Sequence, residues 1–282
     1  MKLLAILLFV VPFASIAGAA DSKLSIEHPM LHQSEDGPPV PGSFQFAPGD
    51  LVFFSCQLGG YKKVEKDNKE VISLTYSMEV RDQRGVLLAP ADDGKIVTEV
   101  SAEDKNWMPK VRFSFSIPSF VDSGEYQILT KAKDEMSGGE AQAPTKFTVL
   151  GRNVPPSDTL VVRNYRFLRG EEDQNPLAVA AYRPGDTVWA RFEMTGYKLG
   201  EKNQFDIEYG LTVLRPNGQV TYSQPHAAEE KTQTFYPQRY NPGVLSLNLP
   251  KDLQLGEYTI VLTVRDNLGA QTYEMKERFS VE

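Results

Sequence analysis

Three histidines, one cysteine and a few clusters of carboxylates and aromatics are the groups through which this 282-residue sequence could do chemistry. His28 and His32 are four residues apart, a spacing that suits a metal pair on a helix. They stand in a Pro/Gly-rich stretch after a strand pattern, where surface loop histidines are expected instead. Neither they nor His226 belong to a spaced Cys/His set of the kind zinc needs. Cys56 alternates with Val52, Phe54 and Leu58, which predicts a buried, inert thiol; a nucleophile would want an exposed, electropositive setting. No Ser/His/Asp arrangement is visible, and "VDSGE" lacks the Gly-x-Ser-x-Gly context of a nucleophile elbow. The sequence therefore predicts no enzyme and no cofactor. Acidic clusters occur at Asp92-Asp93, Glu171-Glu172-Asp173 and Glu229-Glu230. Calcium needs six to eight oxygens brought together by folding. Asp134 and the Glu171 cluster are the pair that could meet near a domain junction, although solvated acidic loops are the expected outcome.

The aromatics point elsewhere. Trp107 and the stretch "TFYPQRYNP", with Phe235, Tyr236, Arg239 and Tyr240, are the candidate partner-binding residues. Rigid aromatic and guanidinium side chains dominate recognition hot spots, and aromatic platforms can stack on sugar rings. The competing expectation is an extra edge strand and hairpin packed onto the fold. Phe53 and Trp189 are a second matched pair, each pointing away from the apolar set. A covering loop, strand or partner domain is the expected reason, and a repeated binding patch the alternative.

The elements that must carry these residues are written twice. "APGDLVFFSCQLGGYK" in the first half and "RPGDTVWARFEMTGYK" in the second overlay at a constant offset of 136 residues, which sets Gly60 on Gly196. Further on, "FSIPSFVDSGEYQILTKAKD" overlays "LNLPKDLQLGEYTIVLTVRD". A period this long is a duplicated domain. Inside each copy apolar residues recur at every second position: Ile72, Leu74, Tyr76, Met78 and Val80 in one, Phe205, Ile207, Tyr209, Leu211 and Val213 in the other. Such alternation marks half-buried strands of antiparallel sheets. With turn signals such as "PGD", "RGV" and "PNG" between the runs, the pattern predicts an all-β protein of two tandem antiparallel β-sandwiches. Trp107 and the Phe235–Tyr240 stretch lie in 83–110 and 216–242, where the copies differ most.

Residues 1–20, with Lys2, an apolar run and the small residues "SIAGAA", have the plan of a secretory signal peptide. No later segment is long and apolar enough to span a bilayer, so no transmembrane anchor is expected after cleavage. Domains are expected at 21–150 and 159–282, joined by a short linker at 151–158 that Pro155 and Pro156 should stiffen. A formal net charge of −7 gives little attraction for nucleic acid. One cysteine excludes an internal disulfide, and no Asn-x-Ser/Thr acceptor is present. Together these lean toward a periplasmic or secreted bacterial protein.

"VDSGEY" (121–126) closely resembles the Asp-x-Gly-x-Tyr turn of immunoglobulin-like domains. The second copy keeps Gly256, Glu257 and Tyr258 but has Gln254 for the aspartate. Ile128 and Ile260 stand where antibody-type domains place a cysteine, and Tyr76 and Tyr209 occupy the region of their tryptophan. The resemblance is to the broad immunoglobulin-like class, including bacterial and macroglobulin-type sandwiches with "PGD" before an early strand. It implies that each tyrosine hydroxyl ties its corner to nearby backbone, and it implies architecture without function. The expectation for function is a non-enzymatic exported module that binds a protein or glycan partner at the cell envelope through loops at the sandwich ends. The alternatives are a structural spacer and an enzyme inhibitor or accessory domain.

Overall fold

A computed structural model describes residues 23–282 apart from positions 36, 102 and 105; the expected signal peptide lies outside the described residues. In the first half the strands are β1 (Ser25–His32), β2 (Gln45–Phe46), β3 (Leu51–Gly59), β4 (Val64–Lys66), β5 (Lys69–Arg81), β6 (Asp92–Val100), β7 (Lys110–Ser116), β8 (Gly124–Asp134) and β9 (Glu140–Val149). One sheet runs β1-β3-β7, and the other runs β2-β9-β8-β5-β4 with β6 also paired to β5. The second half repeats this plan with β10 (Val161–Leu168), β11 (Ala181–Tyr182), β12 (Thr187–Thr195), β13 (Gln204–Leu214), β14 (Val220–Gln233), β15 (Tyr240–Asn248), β16 (Gly256–Asp266) and β17 (Gln271–Val281). Its sheets run β10-β12-β15 and β11-β17-β16-β13-β14. The only departures from antiparallel pairing among the named strands are the short β2–β9 and β11–β17 pairs, which are parallel. The sole helical element among the described residues is a three-residue 3-10 turn at Glu201–Asn203.

The period of two becomes the core. Val52, Phe54, Cys56 and Leu58 face Ile72, Leu74, Met78 and Val80 from the other sheet, all buried. Val188, Ala190, Phe192 and Met194 do the same against Phe205, Ile207, Leu211 and Val213. Each fully buried Val, Leu, Ile, Phe or Met side chain among them contributes roughly 1.5–3 kcal/mol. Cys56 is buried as expected. Burial pushes its thiol up to about 11, so it stays protonated near neutrality. Phe53 and Trp189, on the outward faces of the middle strands β3 and β12, are half-buried. Phe53 stands opposite His32 and Ser114, and Trp189 opposite Leu168 and Ser246.

The repeated polar residues brace turns. Tyr126 donates its hydroxyl to the Asp122 carbonyl at 2.8 Å, and Tyr258 to the Gln254 carbonyl at 2.7 Å, which is the corner the resemblance implied. Asp134 is buried, and its carboxylate accepts the Lys62 N–H at 2.8 Å, the Met136 N–H at 2.9 Å and the Ser137 hydroxyl at 2.7 Å. Burial alone would raise its pKa, but these donors outweigh it and hold the carboxyl below its ordinary value. Asp266 repeats the arrangement, accepting the Lys198 N–H at 2.8 Å and the N–H groups of Leu268 and Gly269. Asp134 is thus occupied as a turn anchor, and no group of three or more His, Cys, Asp or Glu among the described residues could hold a metal.

The histidines depart from expectation. His28 and His32 lie within β1 and not in a loop after it. His28 takes a left-handed backbone (φ 48) at a bulge where the β1–β3 register shifts, and its ring bonds Gln57 at 2.8 Å. His32 is buried, between the Gly37 carbonyl at 2.8 Å and the Ser55 hydroxyl at 3.1 Å. The bulge sends the two side chains to different partners, so the four-residue spacing makes no metal pair. Asn164 repeats the bulge in β10 with φ 51.

Candidate partner-binding surface at the junction

The loop 234–239 leaves β14, an edge strand paired only to β13, and leads into β15. The expected edge strand and hairpin are therefore present, with the aromatic stretch as their exit. Short polar bonds fix the loop. The Asn203 amide donates to the carbonyls of Phe235 at 2.7 Å and Thr234 at 3.3 Å. The hydroxyl of Thr234 donates to the Tyr236 carbonyl, Tyr197 to that of Gln238, and Thr195 to that of Arg239. Tyr61 makes the equivalent bond in the first half, to the Trp107 carbonyl. Trp107 and Gln238 therefore mark equivalent loops, one ahead of β7 and one ahead of β15.

That equivalence explains which candidate residues the structure brings together. Phe235, Tyr236 and Tyr240 meet the first half beside Leu88, Pro118 and Phe120, past the C-terminal end of β7, while Arg239 is half-buried and lines neither cavity there. Trp107 lies beyond the other end of β7. Trp107 lines none of the cavities that Phe235, Tyr236 and Tyr240 line, so the structure does not bring it to their patch. Trp107 is 41% exposed and Phe235 53% exposed, while Tyr236 and Tyr240 are buried.

Tyr236 belongs to the core cluster of the first half although it lies in the second. Its hydroxyl donates to Asp82 Oδ2 at 2.9 Å. Asp82 is itself buried in the β5 hairpin, where Oδ1 accepts the N–H groups of Arg84 and Val86, each at 2.8 Å. Arg84 stands 3.6 Å from Asp82 and 3.1 Å from Asp122, which closes a small network. Burial, and then the Asp82 charge, push the Tyr236 phenol up to about 12. Tyr236 is therefore a neutral donor at any physiological pH. The second half has Arg215 and Pro216 near the equivalent hairpin, and its own 217–219 amides close the turn. Only the first half offers the carboxylate socket.

The other side of the junction is built on Glu193, which is 2% exposed. Its Oε1 accepts Arg152 Nη1 at 2.9 Å and Arg166 Nη1 at 3.4 Å. Arg152 lies in the expected linker. Its neighbours are tied to the first half's tyrosine corner: the Ser123 hydroxyl donates to the Gly151 carbonyl at 2.7 Å, and the Ser123 N–H to Asn153 at 3.1 Å. Phe120 meets Tyr240 edge to face with ring centroids 5.7 Å apart. Around them lies a cavity of about 490 Å³. A smaller one of about 250 Å³ sits on the other side of Phe120, with Phe235 at its rim.

No family profile and no curated protein matches this chain. Among solved structures, the C-terminal domain of the Streptococcus pyogenes antigen I/II-family protein AspA aligns at 10% identity with a TM-score of 0.30, over 92% of this chain and 99% of that one. The C-terminal domain of the Streptococcus agalactiae antigen I/II polypeptide BspA aligns at 9% identity with a TM-score of 0.30, over 92% of this chain and 100% of that one. Part of a family 123 glycoside hydrolase from Clostridium perfringens aligns at 11% identity with a TM-score of 0.31, over 44% of this chain and 27% of that one. Likenesses this weak carry no functional information.

Asp82, Phe120, Arg152, Arg166 and Glu193 were not singled out by sequence reasoning as site residues. Asp82 lies just ahead of the turn signal "RGV". Glu193 alternates away from the apolar face of β12, which in sequence reads as a solvated position.

Proposed function

We propose that this protein is an exported, non-enzymatic interaction module of two tandem immunoglobulin-like domains, 21–150 and 159–282, of the macroglobulin type. It binds a protein or glycan partner at the cell envelope on the junction face around Phe235. The observation that carries this is the contrast along one short loop: Tyr236 and Tyr240 are buried as anchors, while Phe235, which lines both the smaller junction cavity and a groove along β7 beside Arg112–Ser116, is left 53% exposed. An aromatic held outward on a loop that is hydrogen-bonded on both sides loses little entropy on binding. The acid–base groups support the same reading. The Cys56 thiol is buried, His32 is enclosed by Gly37 and Ser55, and exposed His226 is paired to Glu208 at 2.9 Å.

In biolayer interferometry against envelope fractions of the producing cell, the wild type should bind saturably. Phe235→Ala should bind at least about tenfold more weakly, as expected for an aromatic hot spot, with its melting temperature unchanged. Absence of saturable wild-type binding would leave the spacer reading in its place, and equal binding by the two proteins would take Phe235 out of the interface.

A further inference from the structure

We propose that the junction cleft beside Glu193 binds a carboxylate-bearing sugar, an acidic saccharide unit such as a hexuronate; this rests on the interaction-module reading and names a ligand class for that junction. The charged groups lining the cleft are Arg152, Arg166, Arg191 and Glu193, three cations against one anion. Arg166 on β10 and Arg191 on β12 are direct cross-strand partners. Like charges placed opposite one another weaken a sheet. At the matching place in the first half the pair is Met30 and Ser55, so the duplicated fold does not require it. The bulge at Asn164 delivers Arg166 to the cleft, and Arg166 also bonds the Asn164 carbonyl at 3.2 Å. Arg191 is braced by the carbonyls of Glu171 and Asp173, which fix the guanidinium without neutralising it.

Glu193 gives the second requirement. Its Oε1 takes both Arg152 and Arg166, while its buried Oε2 has no hydrogen-bond partner. A buried carboxylate oxygen without a donor is costly. The cleft therefore asks for an anion and a hydrogen-bond donor in one molecule. A phosphate would satisfy the arginines but sets about 1.5–2 negative charges beside Glu193, more than a single carboxylate does, and carries fewer hydroxyl donors for Oε2. A neutral sugar would satisfy Glu193 and leave three guanidiniums to share its single charge. A sugar acid supplies a planar carboxylate for the arginine forks and hydroxyls for Oε2. Its C–H face can rest on Phe120 and Tyr240, and about 490 Å³ is ample for one or two rings.

Isothermal titration of the full chain with trigalacturonate should show saturable binding. Its methyl ester and inorganic phosphate should each bind at least tenfold more weakly. Arg166→Gln should lower uronate affinity at least tenfold, and Arg166→Lys should restore part of it, with near-wild-type melting in both. Glu193→Gln should weaken binding less than Arg166→Gln, since the amide oxygen still accepts. Absence of uronate binding, equal binding of the ester or of phosphate, tighter binding of a peptide with a free C-terminus, or indifference to Arg166→Gln each overturns the proposal. Loss of the uronate result while Phe235→Ala still weakens envelope binding removes this inference alone.

Discussion

Tyr236→Ala should destabilise the protein by about 3–5 kcal/mol, the range for removing a large buried aromatic. Two losses combine. The ring leaves the apolar cluster of the first half, and Asp82 Oδ2 keeps only the Arg84 guanidinium at 3.6 Å. The bond is one between a phenol and a buried carboxylate, so Tyr236→Phe should recover the packing and still cost about 1–3 kcal/mol. Denaturant unfolding should also change shape. With Tyr236 seated, the halves share side chains and should melt together. Without it, unfolding should separate into two transitions followed by fluorescence and circular dichroism. A variant within about 0.5 kcal/mol of wild type would mean that Tyr236 is a surface residue.

Gly196→Ala should be at least as damaging. Gly196 has φ +79, and a Cβ there would stand 2.0 Å from the Thr159 carbonyl oxygen. Gly60 repeats the geometry with φ +68 and 2.2 Å to the Lys23 carbonyl oxygen. The left-handed backbone alone costs an alanine about 1–2 kcal/mol. The overlap adds to this, because the obstacle is main chain just ahead of β10 or β1 and cannot rotate aside. Gly218→Ala separates the two terms, since its φ is +81 and nothing lies within 4 Å of the added Cβ. Thermal melts should therefore rank Gly218→Ala well above Gly196→Ala and Gly60→Ala. Equal melting temperatures for Gly196→Ala and Gly218→Ala would show that the close approach to Thr159 is not present.

The contrast between these two predictions marks what the sequence discloses. The glycine pair, the tyrosine corners and the alternating core are local or repeated, so one-dimensional patterns expose them. Cys56 could be placed because its neighbours at every second position are apolar. The histidines could not be placed, because a bulge at His28 breaks the alternation that would have put both in one strand. The junction was partly visible. Phe235, Tyr236, Arg239 and Tyr240 stood out by type, but their sorting into anchors and an exposed tip depends on a surface far away in the chain. Tyr236 finds Asp82 across a sequence separation of 154 residues. Trp107 was grouped with them by composition, yet it belongs to the equivalent loop of the other copy. Glu193 was hidden for a different reason: it occupies an outward position on its strand, and the linker's Arg152, the bulged strand's Arg166 and the apposed first half enclose it.

The packing of the second half's Tyr236 into the first half is the central claim, and a double-mutant cycle on Tyr236→Phe and Asp82→Asn tests it most directly. Unfolding free energies of the wild type, both single variants and the double variant should give a coupling of about 0.5–3 kcal/mol, as for residues in direct hydrogen-bonded contact. Strict additivity, with the two substitutions acting as independent sites, would contradict it.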